Sequence, residues 1–315
     1  MEKDSIEIVK YNPDYKEVWN EFVESSKNGT FLFNRGYMDY HSDRFEDYSF
    51  LIFRKNSLYC LLPANIQGDT VFSHQGLTYG GLIMNQKNTA EGILKVFGVL
   101  KDYLRGKNIK NLVYKPIPHQ YHLLPAEEDL YALFRYNAKL KARNLSSVIL
   151  QKNRIPFSTL RRRMVKKADS SGLTVGESGD FFTFWEILKD NLQKKYNALP
   201  VHTYHEIKYL AALFPQIKLF CATKDGKMLG GVLCYFTGNV IRVQYISANQ
   251  EGKDTGAIDA IFNYLLNKEC YQNIPYFDFG TSNEDEGRFL NETLIYQKEG
   301  FGGRGICYDT WEMEI

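Results

Sequence analysis

The sequence predicts a mixed α/β (α+β) protein in which one order of strands and helices occurs twice. The chain has 315 residues, and a chain of this length typically forms about two domains of roughly 150 residues. Hydrophobic residues make up 44% of the chain and charged residues 24%, which is typical of a folded globular protein. In both halves, segments with strand and helix periodicity also follow one another in the same order.

The second half shows this order more clearly. Thr203 and Glu206 form a capping-box sequence at the start of a helix. The Asp225-Gly226 pair between two apolar runs is typical of a hairpin turn. The predicted segments are a strand at 173–177, helices at 181–196 and 203–214, strands at 217–223, 228–236 and 240–248, a helix at 255–268, a strand at 276–279, a helix at 288–298 and a strand at 306–313.

The first half repeats the order with weaker signals. Gly106 follows a predicted helix, as expected of a C-terminal cap. The predicted segments are a strand at 5–11, helices at 14–26 and 33–45, strands at 49–53, 58–66 and 70–84, a helix at 89–105, a strand at 112–115, a helix at 126–143 and a strand at 146–150. Two copies of one plan predict domains at 1–154 and 155–315.

Acidic and basic residues are almost equal in number over the whole chain, but they are unevenly distributed along the sequence. The 39 Lys and Arg residues against 37 Asp and Glu leave a net charge of +2, so bulk charge gives no reason to expect a DNA partner. Between Arg135 and Lys167, however, eleven residues are basic and none is acidic. Because arginine binds phosphate through two hydrogen bonds, we expect Arg162, Arg163 and Lys166 to bind an anionic ligand in the cleft between the domains. The alternative is a solvated basic face.

Several other classes of protein lack support in the sequence. The five cysteines are scattered without metal-ligand spacing, so we expect no metal site. No apolar run approaches ~18 residues, and the first four residues do not have the order of a secretion signal. We therefore expect a cytoplasmic protein without a membrane span. A Gly-x-Ser-x-Gly motif is also missing from the sequence, which favours direct attack over a covalent intermediate.

Three stretches carry likeness to a known family: 115–122 (KPIPHQYH), 161–168 (RRRMVKKA) and 296–303 (YQKEGFGG). Together with the repeated element order, they resemble tandem domains of the GCN5-related N-acyltransferase (GNAT) fold, as in FemAB-like acyltransferases. The chain looks most like bacterial GNAT-superfamily N-acetyltransferases, and the resemblance covers nearly all of it. It implies two GNAT-like domains, each a mixed, mostly antiparallel sheet flanked by helices, with a degenerate first domain and a donor-binding second domain.

The resemblance also implies a donor site. GNAT domains bind the pyrophosphate of acyl-CoA through backbone N–H groups where the third meander strand leads into a helix. Here the nearest frame of that loop, 253–258, has lysine at the leading position and isoleucine where a small residue is expected. An ordinary strand-to-helix turn is the alternative. The predicted donor-binding residues, for acyl-CoA and acetyl-CoA in particular, are Ile246, Ala248, Lys253, Thr255, Gly256 and Ala257.

Lys298 is the first catalytic candidate. Fem-type transferases have a Phe-Lys-x-x-Phe-Gly motif, whose lysine stabilises the negative oxygen that forms when an amine attacks an ester. Lys298, Phe301 and Gly302 match this motif, whereas Gln297 replaces its first phenylalanine. A cation aimed at such an oxygen is worth ~3–4 kcal/mol. The alternative is a surface lysine that closes a helix.

Histidine and tyrosine side chains are candidates for proton transfer and substrate binding. Imidazole titrates near neutral pH, so His119 could accept a proton from the attacking amine. Tyr245 and Tyr296 are candidate acids, and His122 and His202 are candidate substrate-binding residues. Hydrogen-bonded structural histidines are the alternative.

The resemblance leaves the reaction partners open. The leading hypothesis is transfer of an acyl group, acetyl in the simplest case, from acyl-CoA to a small-molecule or sugar-linked amine. The alternative is a Fem-type transferase that takes its donor from aminoacyl-tRNA and acts on cell-wall precursors, so tRNA is a possible partner. A third hypothesis is a non-catalytic tandem-GNAT module that binds an anion.

Overall fold

The computed structural model describes residues 5–315, and the chain divides into two compact units. The first unit comprises residues up to 144, together with 285–289 and 307–315. The second comprises residues 145–284 and 290–306. The chain therefore passes between the units more than once, within strands near residues 144 and 306.

The first unit contains two sets of strands and four helices among the residues described. Its segments in chain order are β1 (Ile6–Lys10), α1 (Lys16–Ser25), α2 (Arg35–Met38), β2 (Glu46–Asp47), β3 (Phe50–Arg54), β4 (Ser57–Leu62), β5 (Asn65–Gln67), β6 (Thr70–Phe72), β7 (Ile83–Met84), α3 (Ala90–Gly106), β8 (Asn111–Tyr114), α4 (Glu128–Arg135) and the start of β9 (Lys139–Leu150). Strands β1, β3, β4 and β7 form an antiparallel sheet. Strand β8 pairs in parallel with β6.

Helix α3 supplies much of the core of this unit. Thr89 caps its first turn by accepting a hydrogen bond from the Gly92 N–H at 3.2 Å. Phe97 and Leu100 on its inner face are fully buried and pack with Phe50 of β3 in one apolar cluster. Burying such side chains stabilises the fold by about 2 kcal/mol each.

The second unit continues the chain with a larger meander. Its segments are the end of β9, α5 (Thr159–Ser170), β10 (Thr174–Ser178), α6 (Phe181–Tyr196), α7 (Tyr204–Leu213), β11 (Ile217–Lys224), β12 (Lys227–Phe236), β13 (Val240–Ala248), α8 (Gln250–Thr255), α9 (Ala257–Asn267), α10 (Glu269–Gln272), β14 (Tyr276–Thr281), β15 (Asn283–Glu284), the end of β16 (Phe289–Leu290), α11 (Glu292–Gly300) and the start of β17 (Arg304–Glu314). The sheet order is β10-β11-β12-β13-β14-β9.

Local sequence explains several of these boundaries. Asp225 and Gly226 both have positive φ, at 50° and 77°, as the predicted hairpin between β11 and β12 requires. The predicted capping box of α7 is present, because Thr203 and Glu206 each bond the backbone of the other. Helix α9 covers one face of the sheet, with Phe262 and its neighbours in the apolar cluster of this unit.

Two predicted helices of the first half are wrong. Residues 33–45 form short turns around α2 instead of one helix, because Asn34 accepts a hydrogen bond from the Gly36 N–H and starts a new turn. The helix expected at 126–143 ends at Arg135. Asn137 then takes φ +57°, a left-handed conformation that stops a helix, and the chain continues as β9.

Candidate active site

Strands β13 and β14 separate partway along their length. They pair in parallel over three positions, the last of which joins Arg242 to Asp278. Along residues 5–315 this pairing is not continued beyond Arg242. The pairing of β13 with β12 shifts register at the same point, so that Gln244 is an extra residue in a β-bulge. The C-terminal half of β13 is therefore left open on the side of β14.

A groove of about 720 Å³ lies along this open half of β13; we call it the β13 groove. Helix α6 and β13 form its walls, and α11 contributes Gln297. The lining combines apolar and cationic side chains: Leu188, Ile246 and Ile258 with Lys194, Lys195 and Lys253. This mixture suits a ligand that has an extended apolar arm and a phosphate group.

Asn191 fixes the wall of the β13 groove. Its Nδ2 donates to Ser247 Oγ at 2.7 Å and to the Ala248 carbonyl at 2.8 Å, so α6 is tied to the end of β13. Its Oδ1 accepts a hydrogen bond from Lys253 Nζ at 2.5 Å. The ammonium group of Lys253 is thereby held at the rim of the groove.

The predicted phosphate loop is closed. Residues 250–255 are helical, and the Gly252 N–H is bonded to Asn249 Oδ1 at 2.8 Å. Gly256 has φ +82°, and a Cβ there would lie 2.6 Å from the Met164 carbonyl oxygen. Gly256 and Ala257 are both buried. The Gly256 N–H donates to the Gly252 carbonyl, and Gly256 and Ala257 stay predicted donor-binding residues.

The other predicted donor residues divide into two groups. Ile246, Ala248 and Lys253 line the β13 groove. The hydroxyl of Thr255 instead donates to the Glu251 carbonyl at 2.7 Å, within helix α8. The open part of the predicted donor site is thus the strand end and the lysine rim.

Lys298 is held at the end of β14. Its Nζ donates to the carbonyl oxygens of Gly280 at 2.8 Å and Thr281 at 2.7 Å. Burial lowers the pKa of Lys298 to about 8, while the charge of Asp278 raises it and that of Arg242 lowers it. A lysine bonded to two carbonyls retains one N–H for another acceptor.

The matching residues of the motif anchor this lysine. Phe301 is 1% exposed, and its ring stacks on Phe279 at 5.8 Å between centroids. Gly302 has φ +94°, and a Cβ there would lie 2.3 Å from the Ile155 carbonyl oxygen. These contacts fix the end of α11 and therefore the direction of the Lys298 side chain.

His202 and Tyr245 are in direct contact. His202 Nδ1 lies 2.6 Å from the Tyr245 hydroxyl, and the indole N–H of Trp185 donates to the His202 carbonyl at 3.1 Å. Burial raises the pKa of Tyr245 to about 12. The phenol is therefore protonated at neutral pH and is a weaker acid than an exposed tyrosine.

The remaining proton-transfer candidates differ in exposure. Tyr296 on α11 is 68% exposed. In the first unit, His119 is exposed and His122 is buried. His122 Nε2 lies 2.8 Å from the Ile117 carbonyl, and burial lowers the pKa of its imidazole to about 4. His122 therefore fits the alternative of a neutral structural histidine.

Acidic residues distant in sequence neutralise part of the basic run. Arg143 makes two bonds to Asp309, at 2.7 and 2.8 Å, and Arg161 pairs with Asp259 at 3.1 Å. The stretch from Arg135 to Lys167 has basic residues without acidic ones because these acidic partners lie far away in sequence.

The three predicted anion-binding residues lie on α5 and are exposed. Arg162 lines a second depression, of about 370 Å³, together with Arg154 and Asn263. Arg163 and Lys166 do not line this depression. The cationic face of α5 is thus partly a pocket wall and partly open surface.

Two residues at the point where the strands separate were missed from the sequence. Asp278 is 0% exposed and pairs with Arg242 at 3.2 Å. The signal was a carboxylate within the apolar segment Tyr276–Thr281, since buried charges are rare unless they are paired.

Among residues 5–315, no group of three or more His, Cys, Asp or Glu side chains could hold a metal ion. No helix in this part of the chain has both the length and the apolar character needed to cross a membrane.

Solved structures share this fold. FemX has a TM-score of 0.69 at 12% identity, over 98% of this chain and 97% of that chain. L-PGS from Bacillus licheniformis has a TM-score of 0.63 at 11% identity, over 96% and 90% of the two chains. A tandem GNAT protein from the clavulanic acid biosynthesis pathway has a TM-score of 0.50 at 11% identity, over 98% of both chains.

No protein-family model matches the chain, and no curated protein matches its sequence. At these identities, the structural likeness shows the fold. The chain thus has the tandem-GNAT, FemAB-like fold, and the predicted fold class is confirmed.

Proposed function

We propose that the chain is an acyltransferase that moves an acyl group from an activated donor to an amine. The observation that supports this most is the combination of the open half of β13 with Lys298. The β13 groove offers a channel for the donor, and Lys298 offers a cation for the reacting carbonyl.

The reaction needs no covalent enzyme intermediate. The amine nitrogen forms a bond to the acyl carbon, and the carbonyl oxygen becomes negative in the tetrahedral intermediate. The third N–H of Lys298 donates to that oxygen, an interaction worth ~3–4 kcal/mol. When the oxygen re-forms its double bond, the bond between the acyl carbon and the leaving group breaks.

Protons must move from the amine to the leaving group. We assign Tyr245 as the acid that protonates the leaving group, with His202 bonded to its hydroxyl to return a proton from the amine side. Tyr296 and His119 are exposed and remain predicted proton-transfer residues.

Acyl-CoA is the first candidate donor, with acetyl-CoA as its simplest form. The groove has a volume of about 720 Å³, within the range of pockets that hold small-molecule ligands and cofactors. Its lysine rim would meet the phosphates. The acceptor would be a small-molecule or sugar-linked amine.

Aminoacyl-tRNA is the second candidate donor, and the closed turn at Gly256 favours it. Without an open pyrophosphate loop, affinity for a donor would depend more on basic surface. The exposed Arg162, Arg163 and Lys166 on α5 offer such a surface. The affinity for a donor bound in this way would fall steeply as the salt concentration rises.

Calorimetry and a transfer assay test these proposals together. Acetyl-CoA and an aminoacyl-tRNA are titrated separately into the protein, and product formation is followed with a panel of radiolabelled donors and amines. The matched variants are Lys298→Met and Lys227→Met, the second at an exposed lysine of the same unit. The proposal is supported if a donor binds and if Lys298→Met, but not Lys227→Met, lowers turnover by about 10²–10³-fold. Donor binding without turnover indicates an anion-binding module, and no binding of either donor contradicts the proposal.

A further inference from the structure

We propose that Asp278 is a positioning residue that holds the Lys298 ammonium in place through Gly280. This inference rests on the proposed acyl transfer, since it gives Lys298 the role of oxyanion donor. Asp278 itself would touch neither donor nor acceptor.

The Asp278 carboxylate is buried, and burial of a charged group is unfavourable unless other groups compensate for it. Its side chain is 0% exposed. Its two neighbours in sequence, Phe277 and Phe279, belong to the apolar cluster of the second unit. Removing a charge from water costs several kcal/mol unless hydrogen bonds and an opposite charge compensate. An apolar residue in the same strand would avoid that cost.

Directed hydrogen bonds hold the carboxylate in place. Its Oδ1 accepts hydrogen bonds from Ser146 Oγ at 2.5 Å and from the Gly280 N–H at 2.7 Å. Its Oδ2 accepts one from Arg242 at 3.2 Å. The contact with Gly280 goes to backbone, so the carboxylate orients main chain as well as neutralising an arginine.

Gly280 connects the two charged groups. It has φ +79°, a conformation that the strand would not otherwise adopt. Its N–H donates to Asp278, and its carbonyl accepts from Lys298 Nζ. Changing the direction of this one residue would change where the lysine is held.

Strand pairing does not supply this orientation. The register between β14 and β9 shifts between Asp278 and Thr281, so Gly280 lies within an irregular stretch of the ladder. The hydrogen bond to the Asp278 carboxylate therefore takes the place of a regular strand bond at Gly280.

The negative charge of Asp278 also favours the ammonium form of Lys298. Burial and the Arg242 charge both lower the pKa of Lys298, whereas the Asp278 charge raises it. Of the two charges, that of Asp278 has the larger effect. The carboxylate therefore helps to keep the ammonium protonated as well as placed.

The competing account is that Asp278 only neutralises Arg242. Under that account, losing the carboxylate would change the charge near Lys298 but leave the ammonium in place on the Gly280 carbonyl. The two accounts therefore differ in kcat at a pH where Lys298 stays protonated, and the reactivity of the Lys298 amine in the absence of any substrate gives that pH.

The experiment measures that reactivity directly. Wild type, Asp278→Asn and Ser146→Ala are pulsed with acetic anhydride across a pH series, and acetylation of Lys298 is quantified by mass spectrometry. Steady-state kcat and donor KM are measured in parallel. Ser146→Ala is the matched control, because it removes one bond to the same carboxylate oxygen but keeps the charge and the Gly280 contact.

For Asp278→Asn, we expect acetylation of Lys298 to begin at lower pH than in wild type. We also expect a loss in kcat of about 100-fold with little change in donor KM, as for loss of one oxyanion donor. Ser146→Ala should resemble wild type. In folded Asp278→Asn, an unchanged labelling profile, or a wild-type kcat at a pH where Lys298 is protonated, would overturn the inference.

A second variant covers the case in which Asp278→Asn does not fold. Arg242→Gln/Asp278→Asn replaces both charges of the buried pair, and labelling should still begin at lower pH, by less than in the single variant. An unchanged profile in the double variant would also overturn the inference. Because labelling needs no donor, a wild-type protein without turnover contradicts the proposed function and leaves the labelling test decisive for Asp278.

Discussion

Replacing Lys298 with methionine removes the ammonium while keeping an unbranched side chain of similar length. Two consequences follow from the structure. The tetrahedral oxygen loses a cationic donor, and the carbonyls of Gly280 and Thr281 lose the hydrogen bonds that they accept at 2.8 and 2.7 Å. The first effect concerns rate, and the second concerns the free energy of unfolding.

The two effects have different sizes. Loss of an oxyanion donor costs ~3–4 kcal/mol in the transition state, which lowers kcat by about 10²–10³-fold. Leaving a buried carbonyl without a partner costs about 1–3 kcal/mol of stability. Gly280 is buried and Thr281 is half-buried, so the carbonyl of Gly280 should dominate the loss of stability.

The assay separates the two by working at saturating donor with protein shown to be folded. Circular dichroism and a urea titration give the free energy of unfolding, and initial rates give kcat and donor KM. Lys227→Met serves as the control for losing an exposed lysine. A folded Lys298→Met protein with wild-type kcat would refute the reasoning, whereas a raised KM with unchanged kcat would mean that Lys298 only binds the donor.

Three further predictions concern the pH profile, the groove and the turn. Since burial lowers the pKa of Lys298 to about 8 and its ammonium is the active form, kcat with an amine of low pKa should fall as pH rises through about 8; a flat profile there would contradict the role. Lys253→Ala should raise donor KM roughly tenfold at low salt, because a charge-assisted hydrogen bond contributes about 1.5 kcal/mol, and an unchanged KM would remove Lys253 from the donor site. Gly256→Ala should lower the free energy of unfolding by about 2 kcal/mol or more, because φ is +82° and a Cβ would lie 2.6 Å from the Met164 carbonyl oxygen. Gly226→Ala has a similar φ of +77° and open space, so equal urea midpoints for these two variants would show that the contact with Met164 has no effect.

Much of the fold could be predicted from periodicity and turn residues. The meander of the second unit follows from alternating apolar runs and from Asp225-Gly226, whose positive φ angles the structure shows. The helix expected at 126–143 failed because Asn137 adopts a left-handed conformation, which the continuing basic residues did not reveal. Local patterns predict segments well where a cap or turn residue marks the end.

The site was harder to predict, because its geometry depends on contacts between distant segments. The sequence predicts Lys298 as a site residue through the Phe301-Gly302 match, and Ile246, Ala248 and Lys253 through their place after a meander strand. The stretch from Arg135 to Lys167 contains no acidic residue and therefore suggested an unneutralised basic surface. One of its arginines, Arg143, is in fact neutralised by Asp309, which lies 166 residues away.

The role of Asp278 also depends on residues that are distant in sequence. Its sequence neighbours are apolar, and its partners Ser146 and Arg242 lie 132 and 36 residues away. A charged residue in a strand with apolar neighbours was the one local sign that this position needed partners.

The central claim is that the open half of β13 holds the acyl donor with its carbonyl beside Lys298. The most direct measurement is a crystal structure of the protein with an unreactive ketone analogue of acetyl-CoA and, separately, with an amide-linked aminoacyl-adenosine. The account predicts that one analogue lies in the β13 groove, with its carbonyl oxygen about 3 Å from Lys298 Nζ. Electron density for either analogue at another position, with the groove empty and Lys298 bonded only to the end of β14, would contradict it.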